Sequence, residues 1–315
     1  MLDNYGRQIT YLRLSVTDLC NLRCLYCMPA HGIEKLPHSA ILTLEEIEEI
    51  VGAAVRCGIR KIRLTGGEPL VRRGIIDICR RISAIDGVEE LCMTTNAVLL
   101  PRYARDLREA GVSRLNISLD TLRPERFAQI SRIGTFADVQ AGLAAARETG
   151  FDRIKINCVL MGGVNDDEIR DFVELTRNEK IGVRFIELMP IGECADWDRE
   201  RFLPGSVVLE RVPELKPWGD DGVSVLYKLE GGMGTVGLIN PVSSHFCPTC
   251  NRIRVTSDGK LKPCLHSAGE INLKGLHGEE LYQTMRKAIA EKPRRHHIAE
   301  DGKSASLRNM NAIGG

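Results

Sequence analysis

No sign of charge dominates this sequence: 43 lysines and arginines stand against 42 aspartates and glutamates in 315 residues. The whole chain therefore exerts no general pull on nucleic acid or an anionic membrane, and any basic site has to be local. It also lacks an apolar run near the roughly 20 residues of a membrane span, and a charged-then-apolar leader at its start. A cytoplasmic protein is expected, with neither nucleic acid nor membrane as a partner. Length and an apolar content of 43 % allow one barrel-sized domain or a large domain with an appendage.

Cysteine is plentiful, at eleven residues. In a reducing compartment these stay thiols, so clustered ones point to metal rather than disulfides. Cys20, Cys24 and Cys27 form a C-x3-C-x2-C run, and Cys247, Cys250 and Cys264 a C-x2-C-x13-C set. Two such sets argue for two metal centres. The first has no fourth cysteine nearby, and only His31 and His38 in a loose loop. Three thiolates plus an open position favour a 4Fe-4S cube with one accessible iron. At the second set, His266 or His245 would also complete a zinc ribbon. Cys57, Cys79, Cys92, Cys158 and Cys194 are scattered singly and read as small core residues.

Between the two sets, strand-like and helix-like segments alternate. Strands are expected over 13–17, 61–65, 88–93, 114–118, 153–160 and 183–188, and helices over 43–57, 71–82, 101–110, 136–149 and 166–177. Six βα units argue for a parallel sheet, either a partial barrel or an open doubly wound sheet. Both place functional loops at the strand C-terminal ends. The unusual residues gather there: the first cysteine loop, the Gly66-Gly67-Glu68-Pro69 turn, Thr94-Thr95-Asn96, Asp120 and Met189-Pro190. Near Ile191 the pattern breaks into Gly- and Pro-punctuated segments, and the stretch from Pro293 onward shows no periodicity.

Gly66 and Gly67 are read as letting a ligand approach the backbone. Arg13, Arg63 and Lys155 occupy strand positions that face a barrel interior, where a cation asks for an anionic ligand or an internal salt bridge. Arg252 and Arg254 alternate around Ile253, so both guanidinium groups fall on one face beside the second cysteine set. Their forks suit phosphate or a purine edge.

The cysteine loop with Tyr26 before its last cysteine, followed by Gly-Gly-Glu-Pro, resembles the radical S-adenosylmethionine superfamily. The second set, with Asn251-Arg252-Ile253-Arg254 inside it and Gly314-Gly315 at the end, narrows the resemblance to the GTP 3′,8-cyclase family of molybdenum cofactor biosynthesis. That resemblance implies an incomplete (βα)6 barrel over 1–190, a smaller region over 191–292 carrying a second 4Fe-4S cluster, and a flexible 293–315 tail. It implies two 4Fe-4S clusters, on Cys20, Cys24 and Cys27 and on Cys247, Cys250 and Cys264. S-adenosylmethionine would contact Tyr26, Gly67, Ser118 and Met189, and GTP would contact Arg13, Arg63, Thr94, Lys155, Arg252, Ile253 and Arg254. Arg13, Arg252 and Arg254 would act catalytically. An external electron donor and a downstream cyclic pyranopterin monophosphate synthase follow as partners, with a homodimer left open. Two departures stand out: Ala97 follows the Thr-Thr-Asn turn where glycine is expected, and the Ile191 to Val223 segment, with Cys194 and Trp197, matches no motif. Two other readings compete: a radical enzyme acting on a peptide or another small molecule, and a zinc-binding nucleotide or RNA scaffold.

Overall fold

The structure, a computed structural model, describes residues 1–314, apart from the side chains of residues 299 and 301. Its first two-thirds runs β1 (Tyr11–Ser15), α1 (Leu44–Arg56), β2 (Lys61–Thr65), α2 (Ile75–Ser83), β3 (Glu90–Thr95), α3 (Leu100–Glu109), β4 (Val112–Ser118), α4 (Pro124–Ser131), α5 (Phe136–Thr149), β5 (Arg153–Leu160), α6 (Ile169–Asn178) and β6 (Gly182–Glu187). The expected alternation is present, with boundaries shifted by a few residues and α4 unforeseen. That helix is eight polar-rich residues started by a proline, too short to show a period.

Local chemistry accounts for the ends of these elements. Thr43 and Glu46 form a reciprocal capping box at the start of α1, and α5 starts on the Thr135 side chain and stops at Gly150 in a left-handed conformation. Helices lie against one face of the sheet and bury alternate strand residues such as Leu12, Leu14, Ile62 and Leu64. Phe172 of α6 meets Phe185 of β6 edge-on at 6.1 Å, a contact worth about 1 kcal/mol beyond its area.

The remaining elements are α7 (Val207–Arg211), β7 (Lys216–Asp220), β8 (Val225–Lys228), β9 (Thr235–Ile239), β10 (Arg252–Val255), β11 (Lys260–Lys262), β12 (Ile271–Asn272), α8 (Gly278–Ala290), α9 (Ile298–Asp301) and α10 (Met310–Ile313). Their strands do not build a separate sheet. One sheet runs β12-β11-β10-β1-β2-β3-β4-β5-β6-β9-β8-β7. β10 adds parallel to β1 and β9 parallel to β6, so the six-stranded parallel arc is prolonged at both edges by the C-terminal part of the chain.

Two further differences concern segments without a readable pattern. The stretch after Ile191 supplies Cys194 and Trp197 to a small apolar cluster with Ile130, Met161, Leu188, Leu25 and Tyr26, which backs the first cysteine loop. The tail from Pro293, expected to be flexible, carries two short helices, and Asn311 and Ile313 are each 1 % exposed. Gly314 takes φ 84°, and a Cβ there would lie 2.4 Å from Thr65 Oγ1, so the end of the tail fits over β2 only as glycine. Gly315 lies outside the described residues. No helix among the described residues is long and apolar enough to cross a membrane.

Candidate active site: two joined cavities

The parallel strands open onto two cavities. One, of about 180 Å³, is bounded by Cys20, Cys24, Cys27, the 66–68 turn, Thr94 and Ser118. The other, of about 430 Å³, occupies the concave face of the sheet and reaches Cys247, Cys250 and Cys264. Asn157, Ile186, Met189 and Met310 line both, so the cavities share a wall.

The first cysteine loop is held by backbone contacts that leave no room for a side chain. Gly67 N–H donates to the Thr17 carbonyl and Glu68 N–H to the Leu19 carbonyl, each at 2.8 Å. A Cβ on Gly66 would sit 2.4 Å from the Thr17 carbonyl oxygen, and one on Gly67 2.4 Å from that of Leu19. The two glycines are thus required by the approach of the turn to residues 17–19. The Glu68 carboxylate then accepts from Leu70 N–H, the Thr95 hydroxyl and Asn96 N–H, tying this turn to the next. Burial pushes its pKa up to about 7, against the pull of those donors. At Ala97, where the family pattern has glycine, the backbone adopts a left-handed conformation, φ 69°, that favours glycine.

Burial pushes the Cys20 thiol up to about 11. It pushes Cys27 to about 12, with the Cys20 thiol adding to the rise, and holds Cys24 well above its ordinary range, reinforced by Asp120 and the other two thiols. Three thiols that oppose each other's ionisation in a dry pocket suit a polycationic partner that they bind as thiolates. Among the described residues no three His, Cys, Asp or Glu side chains converge on a single ion. A cubane asks for something else, thiolates set apart on different irons, and this donor set fits that demand. Tyr26 closes the pocket, its hydroxyl donating to Asp120 Oδ2 at 2.8 Å while Val159 N–H donates to Oδ1.

The larger cavity owes its chemistry to strand register. Arg254 pairs with Arg13, Arg13 with Arg63, Arg63 with Cys92, Cys92 with Arg114 and Arg114 with Arg153, a single rung across six parallel strands. Arg252, Tyr11 and Lys61 form the rung below on the same face. Lys155 and Arg184 extend the ring of cations, and among the described lining residues only Asp221 brings a carboxylate, 3.0 Å from Lys155 and 3.6 Å from Arg184.

These cations hold one another down. Burial, then Arg254, lowers Arg13 well below its ordinary value, burial and Arg252 lower Arg254 to about 10, and burial with Arg184 lowers Lys155 to about 8. Arg63 is raised instead: burial opposes its charge, but the Tyr11 hydroxyl, which accepts from its Nε, together with Cys92 and Glu90 outweighs that cost. The buried Nε atoms of Arg184 and Arg252 have no hydrogen-bond partner among the described residues. Such a cavity is built for a polyanion.

The second cysteine set opens into this ring. Lys292, Arg252 and Arg254 outweigh burial and lower Cys250, whereas burial raises Cys247. Arg7, itself paired with Asp3, donates to the Cys247 carbonyl at 3.0 Å and to those of Lys292, Pro293 and Arg294. His266, a candidate zinc ligand from sequence, turns its Nδ1 to the Ser304 hydroxyl at 3.2 Å, and its ring packs 4.7 Å from that of His296.

Most residues singled out from sequence meet here: Tyr26, Gly67 and Ser118 in the small cavity, Arg13, Arg63, Lys155, Arg252 and Arg254 in the large one, and Met189 between them. Two do not sit as expected. Thr94, next to last in β3, lines the cysteine cavity, with its buried Oγ1 lacking a partner among the described residues, and does not line the cationic one. Ile253 is 0 % exposed and points into the apolar core, since alternation along β10 sends it to the face opposite its two arginines. Lys61, Arg114, Arg153 and Arg184 were missed. The first three share the alternate positions that singled out Arg13 and Arg63, and Arg184 lies across Gly237, where a Cβ would be 2.5 Å from its Cδ. The scattered cysteines Cys57, Cys79, Cys92, Cys158 and Cys194 are all buried.

Fold and site together define a radical S-adenosylmethionine protein, and residues 14–176 match the family model "Radical SAM superfamily". The chain belongs to that superfamily. Residues 181–298 match the model "Molybdenum Cofactor Synthesis C". Over the full length of both chains it is 51 % identical to the GTP 3′,8-cyclase of Alkaliphilus oremlandii (strain OhILAs). It is 50 % identical to that of Peptoclostridium acidaminophilum, covering all of this chain and 98 % of the other. Within the superfamily it is therefore a member of the GTP 3′,8-cyclase family. Among solved structures, Streptococcus suis SuiB bound to S-adenosylmethionine shares the fold at a TM-score of 0.61 and 13 % identity, over 97 % of this chain and 77 % of that one.

Proposed function

We propose that this chain is a GTP 3′,8-cyclase that acts on GTP in molybdenum cofactor biosynthesis. One observation carries the reading beyond family membership: a thiol-lined cavity shares a wall with a cation-lined one whose described lining has one carboxylate, Asp221. The family implies a 4Fe-4S cluster on Cys20, Cys24 and Cys27. With S-adenosylmethionine and one electron from an external donor, it would supply the 5′-deoxyadenosyl radical that takes the 3′ hydrogen of GTP; the ribose C3′ radical would then add to guanine C8, and a further electron and a proton would give the dihydro product.

The chain's own residues bind, orient and shield. Tyr26, Gly67, Ser118 and Met189 bound the S-adenosylmethionine cavity, with Thr94 beside them. A triphosphate brings about four negative charges and needs several donors in a dry site. Arg63, Lys155 and Arg184 supply them from three strands, and an anion bound among them relieves the mutual repulsion of the ring. Arg252 and Arg254, beside the second cysteine set, and Arg13, paired with Arg254 across the strands, orient the nucleoside end. Cys247, Cys250 and Cys264 would hold a second 4Fe-4S cluster, which would serve to bind the guanine edge. Arg254 Nη1 donates to the Gly314 carbonyl at 2.6 Å, and this contact supports a role for the tail in excluding water from a reactive carbon radical. Eleven free thiols suit the cytoplasm, and the cyclised product passes to a cyclic pyranopterin monophosphate synthase.

Anaerobic incubation of the reconstituted chain with GTP, S-adenosylmethionine and a reductant tests the reading. GTP-dependent 5′-deoxyadenosine and a cyclised dihydro-GTP are expected. Release of 5′-deoxyadenosine only with a peptide would overturn it.

A further inference from the structure

Asn311 is a residue that the proposed chemistry leaves unused. It lies in α10, is 1 % exposed, and lines the cysteine cavity beside Met310. Its Nδ2 donates to the Asp18 carbonyl at 3.2 Å, two residues before Cys20. A carbonyl only accepts, so that bond fixes the orientation of the amide and leaves Oδ1 as its other end. Oδ1 is buried and has no hydrogen-bond partner among the described residues. A buried acceptor left unmet is costly, and Asn311 lines the cavity in which a ligand donor would meet it.

An ionic latch outside the cavity holds Asn311 in place. Arg308 donates to both oxygens of Asp258, at 3.0 and 2.8 Å, and to both of Glu270, each at 2.7 Å. Asp258 lies in the turn between β10 and β11, and Glu270 just before β12, so the latch ties the tail to the edge of the sheet. Past it, a Cβ on Gly192 would lie 2.2 Å from Asn309 Oδ1, so the chain is pressed against the 192 turn as it enters.

We propose that Asn311 is an S-adenosylmethionine-binding residue, presented by the C-terminal segment and positioned by the Arg308 latch. S-adenosylmethionine carries the donors that Oδ1 lacks: an ammonium, two ribose hydroxyls and the adenine amine. The inference rests on the reading that the cysteine cavity takes S-adenosylmethionine. It gives the tail a binding duty in the small cavity, separate from its glycine end over β2.

Equilibrium dialysis of labelled S-adenosylmethionine against the anaerobically reconstituted full chain tests it, with GTP dialysis and iron content measured on the same samples. Asn311→Ala should weaken S-adenosylmethionine about tenfold, the size of one lost hydrogen bond to a polar or charged donor, while iron content and GTP affinity stay as in the wild type. Arg308→Gln lies outside the cavity and should weaken S-adenosylmethionine severalfold with tryptic cleavage of the tail accelerated. Wild-type affinity in Asn311→Ala overturns the proposal. If that variant does not retain iron, Arg308→Gln decides: unchanged affinity despite faster tail cleavage overturns it. A wild-type chain that binds no S-adenosylmethionine overturns the underlying reading as well, an outcome distinct from a loss confined to the variants.

Discussion

Gly67→Ala is the sharpest test of how the first cysteine loop is held. The added Cβ would lie 2.4 Å from the Leu19 carbonyl oxygen and 2.7 Å from that of Asp18. That is about 1 Å short of ordinary contact, and backbone on both sides prevents a side chain from giving way. Forcing the fit costs about 1–3 kcal/mol as overpacking. Loss of the Gly67 N–H bond to the Thr17 carbonyl and the Glu68 N–H bond to the Leu19 carbonyl adds about 1 kcal/mol each. At roughly 2 °C per kcal/mol for a chain of this size, the melting temperature of the apo protein should fall by several degrees. Cys20 follows Leu19 directly, so the displaced loop should also retain less iron after reconstitution. Gly52→Ala is the control: it lies in α1 with nothing within 4 Å of its Cβ, and should stabilise by roughly 0.5–1 kcal/mol. A Gly67→Ala protein that melts within a degree of wild type and holds the same iron would refute this account of the loop.

The cationic cavity and the strands that build it give four more predictions. Arg184→Ala should weaken GTP in calorimetric titration by about tenfold or more, the worth of a charge-assisted hydrogen bond to phosphate; unchanged affinity would exclude Arg184 from the site. Lys155, lowered to about 8 by burial and Arg184, loses its charge as pH rises through that value, so GTP affinity should fall above pH 8, and Lys155→Arg should flatten the fall. The apo protein should behave oppositely: the unfolded chain keeps the Lys155 proton up to about 10.5, so between about 8 and 10.5 this group adds stability as pH rises, which denaturant melts across that window would detect. Ile253→Ala should cost about 2–5 kcal/mol of stability with GTP affinity retained, since its side chain sits in the core; a large loss of affinity in a folded variant would return Ile253 to the site.

Much of the chemistry was legible in the sequence because it is local. The C-x3-C-x2-C run gathers three thiols on one loop whatever the fold, and the alternation of strand and helix periods gave six parallel units with their loops on one rim. Alternation also gave the faces of β1, β2 and β10, and so the inward direction of Arg13, Arg63, Arg252 and Arg254. It does not give register. Only the pairing of strands, which depends on helices packing behind them, set Arg254, Arg13, Arg63, Arg114 and Arg153 on one rung and carried Thr94 past the cationic cavity into the thiol-lined one. Contacts between distant segments decided the rest: β9 and β10 joining opposite ends of the same arc, Cys194 and Trp197 backing the first loop, and Arg308 drawing an unpatterned tail onto Asp258 and Glu270. Local spacing fixes which residues share a loop or a face, and it leaves open which loops meet, because that depends on burial and charge pairing between segments far apart in the chain.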